Sequence, residues 1–577
     1  MLFLSAVAAL AIPRFDLDLT RHEIRGRDTA KVHLSFKGKA GIYRSRIKND
    51  GPPVSIDEVV LCDIPIQMAM DTSLYGEGFT MLSQTGGTIG HPVDIGAYTD
   101  HGHYRMPVPK GATTVYNLLT LTPKSQSTLL LGFTTCRRFS GHFNVFPTHI
   151  EVVVDTEGLT LGTGETWALE DLSIEQGANR ESMLASFGKK LAKAAGPLRF
   201  KKPPTGWCSW QCFGPGVTAH DVSSNVESIS QHIPELKYVQ IDDGYQAKTG
   251  DWLETGSSFG GGIRQVLANI RSKGLEPAIW VAPFVATEDS RLFKDHPDWF
   301  VKDDNGKPLR SDKVTFGGWH RLPWYVLDGT NPGAQGYLEH VFRTMRTEWG
   351  CTYFKMDAIA WGAIKGGHFH DPHATRIEAY HRGMEAIRRG AGSGFLLGCN
   401  HPVWPSIGYV DGQRSGMDID RSWDSFTSTG RENLNRAWQN GKLWWNDPDT
   451  LLLTGKLSKD EFQFHASLIL ATGGLVLSGD DIPTLNEASL AIIKKLLPPT
   501  GVAAQFTDHS FSVGSASVGG KTRVFLFNWS DSPVSRQFRM PHTAVLTDFW
   551  SGEDLGTRSG EVSIELPARS ARVLVYK

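Results

Sequence analysis

The first third of the chain alternates apolar and polar residues with the period of a β-strand. Val32, Leu34 and Phe36 stand between polar residues, and a similar strand-like run extends from His149 to Val154. Successive side chains of a strand point to opposite faces, so such runs form a sheet that buries one face. Because Gly, Pro and Asp interrupt these runs, residues 1–180 are predicted to form an antiparallel β-sandwich.

From Gly206 the pattern changes to short apolar runs that alternate with amphipathic stretches, as in repeated βα units. These runs predict eight strands, at 206–212, 238–243, 277–284, 353–357, 395–399, 410–414, 443–447 and 474–478. Helical spacing lies between them at 262–273, 334–348, 374–389 and 460–471. Eight units favour a closed (β/α)8 TIM barrel over residues 203–497, with an open doubly wound sheet as the alternative.

Two further segments complete a multidomain prediction. A helical pattern followed by Lys-Lys-Pro-Pro at 201–204 predicts a helical linker over 181–202. Strand-like alternation returns near the end of the chain, so residues 498–577 are predicted to form a small C-terminal antiparallel β-domain. No aromatic cluster is evident in that segment, so we expect it to cover the barrel rather than to bind glycans.

Charge and composition narrow the choice of partner. The 577 residues include 59 basic and 61 acidic side chains, a net charge of −2, which disfavours nucleic acid and anionic membranes. Seventeen Trp residues mildly favour a carbohydrate site, since indole stacks on the apolar face of a sugar ring. We therefore expect a small neutral oligosaccharide or glycoconjugate as the substrate.

The cysteines and the first residues bear on localisation. Six cysteines without a CxxC pair or zinc spacing favour reduced thiols in a cytoplasmic protein. Residues 1–11 are apolar and end in Ala-Leu-Ala, so export is the alternative if they act as a short signal. No stretch of the sequence approaches the roughly 20 apolar residues that span a bilayer.

Two aspartates, Asp357 and Asp418, stand at or just beyond the ends of predicted barrel strands, where barrel enzymes place their catalytic groups. Lys355 lies two residues before Asp357, so the strand period predicts that its charge favours an ionised, nucleophilic Asp357. If Asp418 faces Asp357 without such a cation, the neighbouring charge and partial burial would raise the pKa of Asp418 and keep it as a general acid. A pair of carboxyls in opposite states is typical of glycosidases.

Other residues at the strand ends have both a structural and a functional interpretation. Asp242 and Asp243 either cap the following segment or accept hydrogen bonds from sugar hydroxyls. Trp280, like Trp207 and Trp210, either packs in the core or offers a platform for a sugar face. Arg414 holds a hydroxyl, orients Asp418 or forms a buried ion pair with one of the aspartates.

Two other motifs carry weaker signals. The run His-Phe-His-Asp-Pro-His at 368–373 resembles a metal site, yet it lies in a predicted loop without a second ligand cluster. The run Asn-Asp-Pro-Asp at 446–449 predicts either a brace behind the site or a simple turn. There is no P-loop, no GxGxxG after a strand and no GxSxG elbow, and carboxylate chemistry needs neither a metal nor another cofactor.

Ordered motifs between Gly206 and Asp481 resemble clan D glycoside hydrolases, closest to the family 36 α-galactosidases. They are GWCSW at 206–210, IDDGY at 241–245, GDW at 250–252, IWVAPF at 279–284, HPDWFV at 296–301, YFKMD at 353–357, VDGQRSGMD at 410–418 and WNDPD at 445–449. The resemblance covers about half of the chain. It implies a β-sandwich, a catalytic barrel and a C-terminal β-domain, in agreement with the division above.

The resemblance also implies roles for individual residues. Asp357 would be the nucleophile and Asp418 the acid/base. The galactose would be contacted by Asp242, Asp243, Trp280, Lys355 and Arg414, with Cys399 and Asn400 near its 2- and 3-hydroxyls. The family's Trp from the N-terminal domain is missing, and the nearest segment, 78–87, offers only Phe79 as a substitute.

These observations predict a retaining exo-α-galactosidase that needs no cofactor. Three alternatives remain. The first is a galactosyltransferase of the raffinose-synthase type, and the second is an α-glycosidase for a C2-modified hexose such as N-acetylgalactosamine. The third is a non-catalytic sugar-binding protein, against which the pair of aspartates argues.

Overall fold

The computed structural model describes residues 13–260, 262–506 and 508–577. The predicted signal or strand at residues 1–11 lies outside this range. The described chain forms two compact units. The first contains the residues up to Phe79 together with Gln84–Asp94 and Pro107–Lys190; the second contains Thr80–Ser83, Ile95–Met106 and Leu191–Lys577.

The first unit is a network of antiparallel strands. Its members are β1 (Glu23–Gly26), β2 (Val32–Lys39), β3 (Ile42–Asn49), β4 (Val54–Pro65), β5 (Ser73–Glu77), β6 (Gln84–Gly87), β7 (Pro92–Ile95), β8 (Thr113–Thr122), β9 (Thr128–Phe133), β10 (Ser140–Val145), β11 (His149–Leu161), β12 (Thr166–Ala168) and β13 (Leu172–Gly177). The principal order is β1-β4-β11-β10-β8-β9-β13-β3-β12. Alternate residues such as Val152 and Val154 enter a single apolar core, as the period of two requires.

The second unit is built on a parallel sheet. Its strands are β14 (Thr205–Cys208), β15 (Tyr238–Ile241), β16 (Glu276–Val281), β19 (Tyr353–Met356), β20 (Phe395–Gly398), β21 (Gly412–Arg414), β22 (Trp445–Asp447), β23 (Thr450–Leu451) and β24 (Val476–Ser478), and a separate antiparallel pair is formed by β17 (Val285–Thr287) and β18 (Trp324–Val326). The order is β22-β21-β20-β19-β16-β15-β14-β24-β23.

The sheet closes into a barrel through its seventh strand, which is interrupted at Pro448 and Asp449. The first part, β22, pairs with the sixth strand, and the second part, β23, pairs with the eighth. Asp449 has φ 69°, a left-handed conformation that is uncommon outside glycine. The predicted eight-unit barrel is therefore confirmed, and the open sheet is not observed.

Helices alternate with the barrel strands. The helices of the chain are α1 (Arg180–Ala195), α2 (Trp210–Phe213), α3 (Ala219–His232), α4 (Ile263–Ser272), α5 (Arg291–Asp295), α6 (Ser311–Val314), α7 (Pro332–Thr347), α8 (Arg376–Ala391), α9 (Trp423–Asn435), α10 (Lys459–Thr472) and α11 (Glu487–Leu496). Capping boxes begin α3, α8 and α10, where Thr218, Thr375 and Ser458 accept from the third helical N–H. No helix in the described part of the chain is long and apolar enough to cross a membrane.

The two ends of the barrel differ in polarity. At the amino ends of the strands, Tyr353 stacks on Phe395 with ring centroids 5.0 Å apart, and both belong to an apolar cluster with Trp445 and Leu477. Two residues further along the same strand, Lys355 is buried at 3% exposure. The apolar plug closes one end, so the polar interior opens only towards the carboxyl ends.

The C-terminal sheet contains six antiparallel strands: β25 (Gln505–Phe506), β26 (Val513–Val518), β27 (Lys521–Asn528), β28 (Val534–Asp548), β29 (Asp554–Leu566) and β30 (Ser570–Tyr576). Contrary to expectation it carries an aromatic cluster, because Phe527 and Trp529 lie 5.2 and 4.9 Å from the ring of Phe464 on α10. These rings pack against a barrel helix, which agrees with a covering role. The predicted domain boundaries remain a proposal.

Candidate active site

Strand parity directs the polar side chains into the barrel. Along β19 and the residue that follows it, Tyr353, Lys355 and Asp357 share one face because side chains alternate. In the ladder, Trp280 of β16 stands opposite Lys355. The sequence thus places an apolar residue at the bottom, a cation in the middle and a carboxyl at the open end.

A cavity of about 280 Å³ lies at this open end. It is lined by Leu82, Tyr98, Trp210, Asp242, Asp243, Trp280, Trp319, His320, Lys355, Asp357, Asn400, Met417 and Asp418. All of these residues belong to the second unit. Seven of the nine predicted site residues therefore meet around one pocket.

Three donors hold the carboxyl group of Asp357. Its Oδ1 accepts from the Ala358 N–H and from Asn400 Nδ2, both at 2.7 Å, and its Oδ2 accepts from Trp280 Nε1 at 3.1 Å. Ala358 and Asn400 have φ 54° and 42°, so strained backbone follows two adjacent strands. Such strain is typical of sites where geometry is over-determined.

Burial raises the pKa of Asp357 above its ordinary value, and the charge of Asp418 adds to this effect. Lys355 acts in the opposite direction, as predicted, but does not outweigh burial. The predicted direction of the Lys355 effect is confirmed, although the ammonium bonds Asp242 Oδ2 at 2.8 Å rather than Asp357. Burial disfavours the ammonium, yet Asp242 holds the pKa of Lys355 well above its usual range.

Asp418 lies in a different environment. Its side chain is 57% exposed, and Arg414 Nη1 lies 2.8 Å from its Oδ1. The predicted condition for a protonated Asp418, partial burial without a neighbouring cation, is therefore not met. Arg414 does orient this carboxyl, one of the roles predicted for it.

Arg414 is itself braced from behind. Its Nη1 is 3.0 Å from Asp449 Oδ2, and its Nε is 3.4 Å from Asp447 Oδ2. Burial raises the pKa of Asp449 to about 6 even though Arg414 opposes this shift. Of the two interpretations of the run at 446–449, these contacts agree with a brace that holds Arg414 rather than with a simple turn.

Asp243 has a partner that sequence reasoning missed. The His320 Nε2 lies 2.9 Å from its Oδ2, and Gln246 Nε2 donates to its Oδ1 at 2.5 Å. Although burial opposes it, these contacts lower the pKa of Asp243. Next to His320, Trp319 packs edge-on against Trp324 and Trp361 at 4.8 and 5.6 Å.

The other missed lining residues come from several loops. Leu82 and Tyr98 belong to Thr80–Ser83 and Ile95–Met106, the two early segments that form part of the second unit. Met417 precedes Asp418, and Trp210, for which the sequence allows either core packing or a sugar platform, also lines the pocket. Phe79, the predicted substitute for the family's tryptophan, is buried 5.9 Å from Tyr116 in the first unit. Tyr98, an aromatic residue 19 positions further on, lines the pocket instead. The hydrophobic periodicity around Tyr98 does not predict this position.

Two predicted residues are not among those that line the pocket. Cys399 and Arg414 are buried at 1% and 2% exposure. Burial and the charge of Asp357 raise the pKa of the Cys399 thiol well above its usual range. The adjacent Asn400 lines the pocket, and sugar contacts by Cys399 and Arg414 stay a prediction.

The histidine-rich run does not form a ligand cluster. His368 Nε2 pairs with the exposed Asp304 at 2.8 Å. Within the described ranges no group of three or more His, Cys, Asp or Glu side chains has metal-binding geometry. All six cysteines are free thiols.

Part of the barrel is similar to a known protein family, and a longer stretch of the chain is similar to a known enzyme. Residues 238–386 match the family model for Melibiase. The Alpha-galactosidase of Cyamopsis tetragonoloba is 22% identical over 402 residues, which cover 65% of this chain and 85% of that protein.

Solved structures show the same architecture. TtGalA, an alpha-galactosidase from Thermus thermophilus, in complex with p-nitrophenyl alpha-D-galactopyranoside, has a TM-score of 0.65 and 22% identity over 87% of this chain and 98% of that chain. The GH36 alpha-galactosidase AgaA from Geobacillus stearothermophilus has a TM-score of 0.65 at 12% identity, over 97% of this chain and 87% of that chain.

At these identities the structural likeness establishes the fold. It confirms the predicted multidomain architecture with a central TIM barrel, an N-terminal β-sandwich and a C-terminal β-domain. The family match and the relatives also confirm the resemblance to melibiase-like enzymes that the motifs predicted.

Proposed function

We propose that this chain, which is a glycoside hydrolase of the melibiase kind, removes terminal α-linked galactose from oligosaccharides with retention of configuration. The observation that carries the proposal is the pair Asp357 and Asp418, two carboxyls that line one pocket in opposite environments. One is buried and held by neutral donors, whereas the other is exposed and held by a cation. Retaining glycosidases use one carboxyl as nucleophile and the other as acid/base. The firmly held Asp357 suits attack on a fixed carbon, and the solvent-exposed Asp418 suits exchange of protons with water.

In the first step Asp357 attacks the anomeric carbon. Its Oδ1 accepts two hydrogen bonds and its Oδ2 accepts one longer bond, so Oδ2 is the less engaged oxygen and acts as the nucleophile. A bond forms between Oδ2 and the anomeric carbon while the glycosidic C–O bond breaks. Asp418 gives its proton to the departing oxygen, and exposure to solvent lets it be reprotonated.

In the second step Asp418 acts as a base. It takes a proton from water, the water oxygen bonds to the anomeric carbon, and the bond to Asp357 breaks. The attacking water must reach Asp418, and the exposed side chain of Asp418 gives it access. The buried ion pair of Lys355 and Asp242 and the hydrogen-bonded pair of His320 and Asp243 present carboxyl oxygens to the sugar hydroxyls.

The size of the pocket supports action on one terminal sugar. A cavity of about 280 Å³ is at the small end of ligand sites, so it suits a single ring more than an internal segment of a long chain. The enzyme TtGalA has been solved with stachyose as well as with an aryl galactoside. An oligosaccharide with terminal α-galactose is the substrate that we propose for this chain.

The stereochemical test follows the newly released sugar by proton NMR. Appearance of α-galactose before mutarotation would support the double displacement, and β-galactose appearing first would end it. A panel of p-nitrophenyl α-galactoside, α-N-acetylgalactosaminide and α-glucoside tests the sugar. Adding a sugar acceptor and analysing the products distinguishes hydrolysis from transfer, and no turnover of any substrate would favour a binding protein.

A further inference from the structure

Glu432, a buried side chain of α9, reaches the loop that carries Asp418. Its Oε2 accepts a hydrogen bond from the Met417 N–H at 2.7 Å, and its exposure is 2%. Met417 precedes Asp418 directly and itself lines the pocket. This bond therefore fixes the backbone at the residue before the proposed proton donor.

The backbone on the other side of Asp418 is held in the same way. The Ile419 N–H donates to Asp449 Oδ2 at 2.8 Å. Two buried carboxyls thus accept hydrogen bonds from the backbone N–H groups of the residues before and after Asp418. Since the Asp418 side chain is 57% exposed, core packing does not fix its position, and these backbone bonds together with Arg414 do.

Arg436, which follows α9, ties the same loop to a second wall of the pocket. Its Nη1 donates to Ser415 O at 3.1 Å and to Met81 O at 2.6 Å, and its Nη2 donates to Ser83 O at 3.3 Å. Leu82, between the last two acceptors, lines the pocket. The end of α9 therefore anchors both the acid/base loop and a neighbouring wall.

From this geometry we propose that Glu432 is a positioning residue for Asp418, acting through the Met417 N–H. The inference rests on the proposed function, in which Asp418 protonates the departing oxygen. A misplaced acid harms a poor leaving group most, since an activated aryl group departs with little protonation. Loss of the bond should therefore change the dependence on leaving group and not only the overall rate.

The test compares kcat/KM for stachyose and for p-nitrophenyl α-galactoside. Glu432→Met keeps the buried volume without an acceptor, and Glu432→Asp keeps the carboxyl group but is one methylene shorter. Both should lose at least about tenfold more on stachyose than on the aryl substrate, a difference of about 1.4 kcal/mol in transition-state stabilisation. Glu432→Gln keeps an acceptor for the Met417 N–H and should retain most of the activity on both.

Glu461 provides a matched control. It is also a buried helical glutamate, at 7% exposure, and its Oε2 accepts from the Ser458 N–H at the same 2.7 Å. It is the third residue of α10 and is not among the residues that line the pocket. Glu461→Met and Glu461→Asp should lower stability without changing the ratio of the two substrates.

Several outcomes would overturn the inference. Equal losses on both substrates in Glu432→Met and Glu432→Asp would contradict it, and so would a split in Glu432→Gln as large as that in Glu432→Met. Thermal melts identify variants that fail to fold. If Glu432→Met does not fold, Glu432→Asp, which keeps the carboxyl group, still tests the inference. Asp418→Asn is measured in parallel: if it shows no split, the proposed function fails, and if it alone shows one, only this inference fails.

Discussion

The two carboxyls of the pocket are held by opposite means. Asp357 ends a buried barrel strand, and three hydrogen-bond donors fix it without direct contact from a cation in the described contacts. Asp418 lies on an exposed loop, where Arg414 binds its side chain and Glu432 and Asp449 bind the flanking backbone. Burial and neutral donors therefore fix Asp357. One cation and two backbone hydrogen bonds fix the Asp418 loop and leave its carboxyl open to water.

The strongest test of this contrast is Asp357→Asn. An amide cannot form the covalent intermediate, so kcat/KM should fall by several orders of magnitude while the sugar still binds. Kinetics with p-nitrophenyl α-galactoside and galactose titration by calorimetry measure the two quantities. Near-normal turnover would remove Asp357 from the role of nucleophile.

Asp418→Asn should have a large effect that depends on the substrate. The amide still offers an oxygen to Arg414, so the loop should persist, but no proton is available for the departing oxygen. Activity on stachyose should collapse, whereas the first step on p-nitrophenyl α-galactoside should fall much less. Equal losses of activity on stachyose and on the aryl substrate would show that Asp418 is not the proton donor and that the two carboxyls do not differ as proposed.

Trp280→Phe tests one donor on the buried side. The ring remains, but Asp357 Oδ2 loses the indole N–H at 3.1 Å. A hydrogen bond to a charged group contributes about 1.5–3 kcal/mol, so kcat/KM should fall roughly 10- to 150-fold if this bond is kept in the transition state. The matched control is Trp252→Phe, since Trp252 packs 5.7 Å from Trp280 and its own indole N–H has no partner among the described residues. A similar loss in both variants would assign the effect to packing.

The smallest expected effect is a shift in pH dependence. Attack requires ionised Asp357, so kcat/KM should fall as the pH falls through the pKa of Asp357, which burial and Asp418 raise. Asp418→Asn removes one of these causes, and its acidic limb on the aryl substrate should move to lower pH. Glu461→Gln, which removes a carboxyl outside the pocket, should leave the limb in place. A limb that moves upward in Asp418→Asn would contradict the coupling of the two carboxyls.

Much of the fold follows from local pattern. Strand period two in the first third and alternating strand and helix signals after Gly206 predicted a sandwich and an eight-unit barrel, and both are observed. The limits of the strands were less predictable: the first barrel strand ends at Cys208 because α2 begins at Trp210, whereas its apolar run continues to Cys212. An apolar run shows that residues are buried, but it does not show where a strand gives way to a helix.

By itself the sequence determined which residues share a strand face and which strands end in carboxyl groups. That was enough to bring Asp242, Asp357 and Asp418 to one pocket, because the carboxyl ends of parallel strands open on the same side. Only the tertiary structure decided which charges pair: Lys355 is two residues from Asp357 yet bonds Asp242, 113 residues away. Ion pairing depends on distances across the barrel and on burial, and neither is encoded in the spacing along one strand. For the same reason Tyr98, His320 and Glu432 escaped prediction, since each reaches the site from a segment whose own pattern carries no sign of it.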